Sequence, residues 1–395
     1  MLVVVAYPFD TLAGSDVEPE GLDLLAQGPV TRARWNGVEV WLALGYQVVR
    51  QVLADPRFSR AAAAVAGGPV ASPAGTNPEF LISMDPPRHT AIRRLMAAAF
   101  SPRRVDGLAP WIRRLTEELL DGVAANGRPA DLVELFAEPL PVMVICELLG
   151  VPVGDRALIR QWAGTLVADT AYTPAQIAEA MGQVNAYLDE LIAIRRRDPD
   201  DALISALIQA NDDGRHLSAA ELSSNIQLLL IAGHETTVNQ IGNSVVTLFR
   251  HPEQARLLAQ RPDLRPRAVD ELLRYSRLFS SLLPRITLQD LTLGDTRISA
   301  GDAVIPLIAV ANRDPAAFPD PNRFDITRTG PAPHVALGHG PHYCLGAQLA
   351  QLELRIALGA LLDRFPTLAP ATDLADLRWK PGLAMRALHN LPVTW

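Results

Sequence analysis

The sequence predicts a mainly α-helical protein with a smaller β portion, and three observations carry that expectation. From Pro87 to about Arg250, one apolar period of helical spacing follows another with only short proline or glycine breaks. One of these segments, Ser218 to Phe249, is apolar on most faces, and roughly 30 residues at 1.5 Å each make a rod of about 45 Å, long enough to cross a whole domain. Turn-punctuated, β-like stretches are confined to residues near 28–45 and 282–310. No glycine-rich linker and no repeat of solenoid period divides the chain, so its 395 residues, 49% of them hydrophobic, are expected to form a single unit, residues 1–395.

Each element has a local reason. "PVTRARWNG" and "VEVWLALG" read as a hairpin with Asn36-Gly37 at its turn. "GYQVVRQVLADPRF" reads as a helix stopped at Pro56. Ala61 to Thr76 is rich in Ala, Gly, Pro and Ser without an apolar period, which predicts a surface loop and a candidate lid. The helical region follows, and its long segment opens on a capping box, Ser218 with Glu221, and ends short of Pro252. After Tyr275, "LLPRITLQDLTLGDTRISAGDAVIPLI" returns to strands. The proline-laden "ANRDPAAFPDPNRFD" is an irregular meander, and the loop "LGHGPHYCLG" leads into a last long helix, "CLGAQLAQLELRIALGALLDRF".

Charge and composition exclude several functions. A net charge of −7 argues against nucleic-acid binding, which needs clustered Lys and Arg. One local exception lies between Pro86 and Arg114, where Arg88, Arg93, Arg94, Arg103, Arg104, Arg113 and Arg114 face a single acid, Asp106. This is either a solvated helical face or a docking face for an acidic partner. The two cysteines, Cys146 and Cys344, do not make a disulfide framework, and a reducing cytoplasm is the expected location. The apolar start "MLVVVAYPFD" is too short for an anchor, and no apolar run reaches the roughly 18 to 20 residues of a membrane span, so no membrane association is expected.

Chemistry concentrates in "LGHGPHYCLG". A buried structural cysteine usually sits in a periodic apolar run, as Cys146 does in "VMVICELLG". Cys344 instead stands where a glycine-rich loop enters a helix, a place that favours a thiolate. His339, His342 and Cys344 as zinc ligands would lack a fourth donor at typical spacing. A third reading is a thiolate axial ligand of heme, which would require cations for two propionates and a helix over the open iron face elsewhere in the chain. "GHGPHYCLGAQLA" resembles the heme-binding signature of the cytochrome P-450 superfamily, Phe-Gly-x-Gly-x-x-x-Cys-x-Gly. It matches at Gly338, Gly340, Cys344 and Gly346, and departs at Leu337, where phenylalanine is usual, and at Gln351, where many bacterial members carry arginine.

The rest of the chain is similar to that family in the right order. "AGHETT", Ala232 to Thr237, resembles the oxygen-activation segment, which implies that Glu235 and Thr236 carry protons to dioxygen in a locally opened helix while Gly233 leaves room for the ligand. "ELLR" resembles the Glu-x-x-Arg motif, which implies a structural pair of Glu271 and Arg274 completed by a meander arginine, taken to be Arg323. "EQAR" at Glu253 has the same spacing but follows the helix-terminating Pro252. "HTAIR" puts His89 and Arg93 on one helix face, and the resemblance implies that these, with Arg285 and His342, hold the heme propionates.

The fold implied is that of cytochrome P-450, with a long central distal helix and a proximal cysteine-ligand loop. The implied activity is monooxygenation of a small organic molecule, a secondary metabolite, by heme b (iron protoporphyrin IX) with O2 as co-substrate. Electrons would come from a separate ferredoxin and ferredoxin reductase, because no second cysteine cluster or dinucleotide fingerprint occurs in the chain. Pocket candidates are Ala232, Leu282, Leu283 and Met385. Oxidative C–C or C–O coupling on the same scaffold, and a non-enzymatic heme-binding protein, are the alternatives.

Overall fold

The computed structural model describes the chain except residues 1–3, 10–15, 36, 66–76, 167–171, 215–216, 331 and 382–384. Helices dominate. The long central helix runs from Ala219 to Arg250, and its capping box forms as expected: Ser218 Oγ accepts the Glu221 N–H at 3.1 Å, and the Glu221 carboxylate accepts the Ser218 N–H at 2.8 Å. Ile226, Ile241, Val245 and Val246 are buried along it because Pro139–Leu149, Pro174–Arg197 and Ala347–Arg364 pack around it. The turn before Pro139–Leu149 is a π-helix, Val133–Ala137.

The β portion forms one larger and two smaller sheets. The six-stranded sheet has the order Val5–Ala6, Val30–Trp35, Val38–Ala43, Ala303–Pro306, Arg285–Thr287, Phe58–Ser59. Its hairpin pairs Thr31 with Leu42 and Trp35 with Val38, and Trp41 then pairs in parallel with Val304. The turn residue Asn36 lies outside the described residues, while Gly37 has the positive φ of 81° that such a turn needs. The helix expected before Pro56 is Tyr46–Ala54. Of the expected loop from Ala61, residues 61–63 belong to a short helix, Arg60–Ala63, and 66–76 lie outside the described residues. Among the described residues no helix is long and apolar enough to cross a membrane.

Candidate active site

Two glycines shape the cysteine loop. Gly338 and Gly340 have φ values of 78° and 70°, a region that side chains avoid. A Cβ on Gly340 would stand 2.8 Å from Ala54 Cα, so glycine also lets the loop rest on helix Tyr46–Ala54. The Cys344 N–H donates to Leu337 O at 2.8 Å across a single 3-10 turn, Gly340–His342. Leu337 is partly buried against the main core, keeping an apolar cover beside the cysteine. Cys344 itself is half-buried, just before helix Ala347–Arg364.

Burial pushes the Cys344 thiol up, and the Gly346 N–H and Arg93, which favour the charged form, only partly offset it. Ligation by a metal ion would favour the thiolate. His339, one of the conceivable zinc ligands, instead accepts a hydrogen bond from Arg50 Nε at 3.4 Å.

Positive groups crowd beside this loop. The rings of His89 and His342 lie 4.2 Å apart. His89 and Arg285 are buried, on helix Arg88–Ala99 and strand Arg285–Thr287. A fourth group, Arg60, is equally buried, and sequence reasoning missed it. Burial drives all four toward their neutral forms: His89 falls to about 4, His342 to about 2, Arg285 to about 9 and Arg60 to about 10, with repulsion from neighbouring positive groups adding to the shifts of His89, His342 and Arg285.

The nearby carboxylate, Asp85, is occupied elsewhere: it accepts from Ser59 Oγ and, at 2.8 Å, from the Arg60 N–H, capping helix Arg60–Ala63. Both ring nitrogens of His89 and one terminal nitrogen of Arg60 are buried without a hydrogen-bond partner. Buried, unpaired donors of one sign fit a ligand that brings carboxylates, as the two propionates of heme would. Arg93 sits at the edge of the group, its guanidinium donating to Tyr343 O at 2.5 Å.

The oxygen-activation segment lies at the middle of the long helix, where Ala232 is exposed and Gly233, Glu235 and Thr236 are half-buried. The expected local opening is absent: the helix is continuous, and Thr236 Oγ1 donates to Ala232 O at 2.7 Å. Gly233 has a packing reason as well. A Cβ there would stand 2.7 Å from Ile145 Cδ1, so the glycine lets helix Pro139–Leu149 approach.

Burial raises the Glu235 carboxyl above its ordinary range. Its neighbour Asn239 donates one amide to Glu235 O at 2.8 Å and lies 3.2 Å from Met385 Sδ, while Met385 bridges to Phe279. Leu282 lies close to Gly338 of the cysteine loop. Met385 and the Leu282–Leu283 segment are thus tied to the helix and to the loop respectively.

The Glu-x-x-Arg pair is buried and bidentate: Arg274 Nε and a terminal nitrogen meet the Glu271 carboxylate at 2.7 and 2.8 Å. The arginine that completes it is Arg328, not Arg323. Arg328 Nε lies 3.2 Å from Glu271 Oε1, whereas the Arg323 side chain is 67% exposed and reaches only Asp325, at 3.8 Å. The turn at Asp325, whose N–H donates to Glu271 at 3.0 Å, directs the later arginine inward. Arg323 contributes its backbone carbonyl, which accepts from Arg274 and Arg328. Both members of "EQAR" engage other groups: Glu253 lies 3.8 Å from His251, and Arg256 donates to Pro252 O.

The family model "Cytochrome P450" matches residues 166–261 and 260–391. The chain is 43% identical to mycinamicin IV hydroxylase/epoxidase of Micromonospora griseorubida, over 99% of this chain and 98% of that one. It is 44% identical to cytochrome P450 monooxygenase PikC of Streptomyces venezuelae, over 96% and 91%. Among solved structures it superposes on cytochrome P450mel 107F1, described as having biaryl coupling reactivity, with TM-score 0.94 and 37% identity over all of both chains. The chain belongs to the cytochrome P450 family and is a monooxygenase of that family, dependent on heme iron and O2.

Proposed function

We propose that the chain binds heme b, which Cys344 would hold through its sulfur and Arg60, His89, Arg285 and His342 would hold at the propionates, and that it oxygenates a small secondary metabolite. The observation that carries this reading is the set of buried, unpartnered donors beside a glycine-shaped cysteine loop. The bound heme supplies the activation of O2 with two electrons and two protons. The chain supplies the surroundings: Glu235 holds and passes protons at its carboxyl oxygens, and Thr236, back-bonded to Ala232 in this structure, presents a hydroxyl beside it. Leu282, Leu283, Ala232 and Met385 give the substrate a largely apolar wall.

One of the relatives named above is a mycinamicin IV hydroxylase/epoxidase, and an actinomycete-type natural product is the substrate class we assign. Coupling chemistry remains the second reading, favoured by the likeness to the biaryl-coupling P450mel. A cytoplasmic location keeps both cysteines reduced.

Electrons are assigned to a ferredoxin with its reductase. Arg94, Arg103, Arg113 and Arg114 are exposed, as is Tyr343 next to the cysteine, whereas Arg88 is held by Glu221 and Arg104 donates to Asp201 O at 3.1 Å. Reversing Arg103 and Arg113 to glutamate should slow reduction by ferredoxin, and the slowing should shrink at high salt. The reading as a whole is tested by the reduced, carbon-monoxide-bound spectrum. A Soret band shifted to long wavelength in the native chain and lost in Cys344→Ser supports it; an unshifted band in folded native protein overturns it.

A further inference from the structure

Three acceptors crowd one amide nitrogen beside Glu235. Asn239, one turn further along helix Ala219–Arg250, has its Nδ2 2.8 Å from Glu235 O, 3.4 Å from Glu235 Oε2 and 3.2 Å from Met385 Sδ. An amide nitrogen carries two hydrogens. The short bond to the helix carbonyl takes one of them, so the thioether and the carboxyl compete for the other. Asn239 and Met385 are buried and the Glu235 side chain is only 13% exposed, so this competition takes place largely out of water.

The two acceptors differ in what holds them. The arm that carries Met385 is fixed through its backbone: the Arg386 N–H donates to Leu278 O at 2.8 Å, and Arg386 O accepts from Asn243 Nδ2, one turn beyond Asn239, at 3.2 Å. The arm also lies close against the helix at Gly242, where a Cβ would stand 3.3 Å from Leu388 Cδ1. The Met385 side chain is the soft part, an unbranched thioether with three rotatable bonds. A molecule pressing on the pocket wall turns that sulfur before it shifts the backbone.

We propose that Asn239 is a positioning residue that shares one amide hydrogen between Met385 and the Glu235 carboxyl, so that the seating of Met385 sets how firmly Glu235 holds its proton. The proposal rests on the reading of Glu235 as the proton carrier and of Met385 as pocket wall. A hydrogen bond donated to a carboxylate favours its charged form. When the sulfur turns away, the hydrogen passes to Glu235 Oε2 and the carboxyl gives up its proton more readily, which ties proton release to occupation of the pocket.

Other charges act on the same carboxyl: His234 on its own helix, with Nδ1 3.7 Å from Oε1, Glu138 at the start of helix Pro139–Leu149, and Lys380 from the C-terminal arm. All three are kept in every variant compared, so their effects cancel. The test uses heme-loaded protein without substrate in its ferrous carbonyl form and follows the infrared band of the protonated Glu235 carboxyl, assigned by its loss in Glu235→Gln. Met385→Leu, which keeps the volume and removes the sulfur, should move the midpoint of that band to lower pH. Asn239→Leu should move it to higher pH, each shift being roughly half a pH unit or more. In the Asn239→Leu background, Met385→Leu should move it no further.

Equal shifts from Met385→Leu in both backgrounds, which a loosened core would give, or no shift in either, overturn the proposal. If Asn239→Leu does not fold, the side-chain amide proton resonances of Asn239 in native and Met385→Leu protein decide: one should move as its hydrogen leaves sulfur for oxygen, and unmoved resonances overturn the proposal. The carrier reading is tested apart, by the partition of electrons between hydrogen peroxide and water in the substrate-free protein reduced through a ferredoxin and its reductase. A partition unchanged in Glu235→Gln, with midpoints that shift as expected, sustains the shared hydrogen and overturns the carrier role of Glu235 instead.

Discussion

The cluster around Glu271 and the cluster around His89 are both buried and charged, yet they differ in what the chain completes. Glu271 meets Arg274, Arg328 and the Asp325 N–H, and Arg274 goes on to donate to Asn312 O and Pro321 O. The other cluster gathers Arg60, His89, Arg285 and His342, and leaves donors of Arg60 and His89 without acceptors. Closed networks of this kind hold a fold together. An open network of one sign costs the fold and is retained because a ligand closes it.

The sharpest way to break that contrast is to remove the centre of the closed cluster. Glu271→Ala strands a buried guanidinium group, a half-buried one and a backbone N–H, and should cost about 3–5 kcal/mol in urea unfolding. Arg328→Gln, which loses one contact to a carboxylate that keeps Arg274, should cost roughly 1–2 kcal/mol. Equal losses in the two variants would mean that the cluster does not centre on Glu271.

The open cluster should respond in the opposite sense. Arg60→Met removes a buried charge that the chain leaves partly unpaired, so the heme-free protein should be no less stable. Heme capture by excess apomyoglobin should meanwhile become about 10- to 100-fold faster, the worth of one charge-assisted hydrogen bond. A destabilised heme-free chain with unchanged heme retention would place Arg60 among the structural charges.

How much of this was legible in the sequence depends on how far each cause lies from its effect. The capping box of Ser218 and Glu221, the hairpin and the glycines of the cysteine loop are local patterns and were readable as such. The family motifs gave His89, Arg285, His342 and Cys344. Arg60 was not readable, because in "DPRFSRAAAA" it looks like a surface arginine, and its burial follows from Asp85 capping its helix and from its donation to Ile82 O and Pro284 O. The packing role of Gly233 was not readable because Ile145 comes from a different helix.

A third buried charge sharpens the comparison, since it belongs to neither cluster. Glu353, on helix Ala347–Arg364, is 2% exposed, has one carboxyl oxygen without a partner, and is held well above the ordinary carboxylate range by burial. In the unfolded chain it ionises at its ordinary range, so between that range and its raised folded value the unfolded state holds fewer protons. Stability is present at acid pH and is lost as pH rises through this window. Glu353→Gln removes that dependence, and its advantage over the native chain should grow with pH to about 1 kcal/mol or more in urea unfolding at pH 8. An advantage that shrinks as pH rises would show that Glu353 has a cationic partner.

The smallest effect tests where the closed cluster ends. Arg323 and Arg328 stand five residues apart in one meander, and either could complete the Glu271 pair on sequence grounds. In the fold Arg323 lends the cluster only its carbonyl, which any residue provides, and its side chain makes one exposed contact with Asp325 at 3.8 Å. Exposed pairs of that kind contribute little, so Arg323→Ala should change unfolding free energy by no more than about 0.5 kcal/mol and leave heme retention as it was. A loss comparable to that of Arg328→Gln would show that the Arg323 side chain turns inward in solution and shares Glu271, and the boundary between the closed cluster and the surface would then have to be drawn outside it.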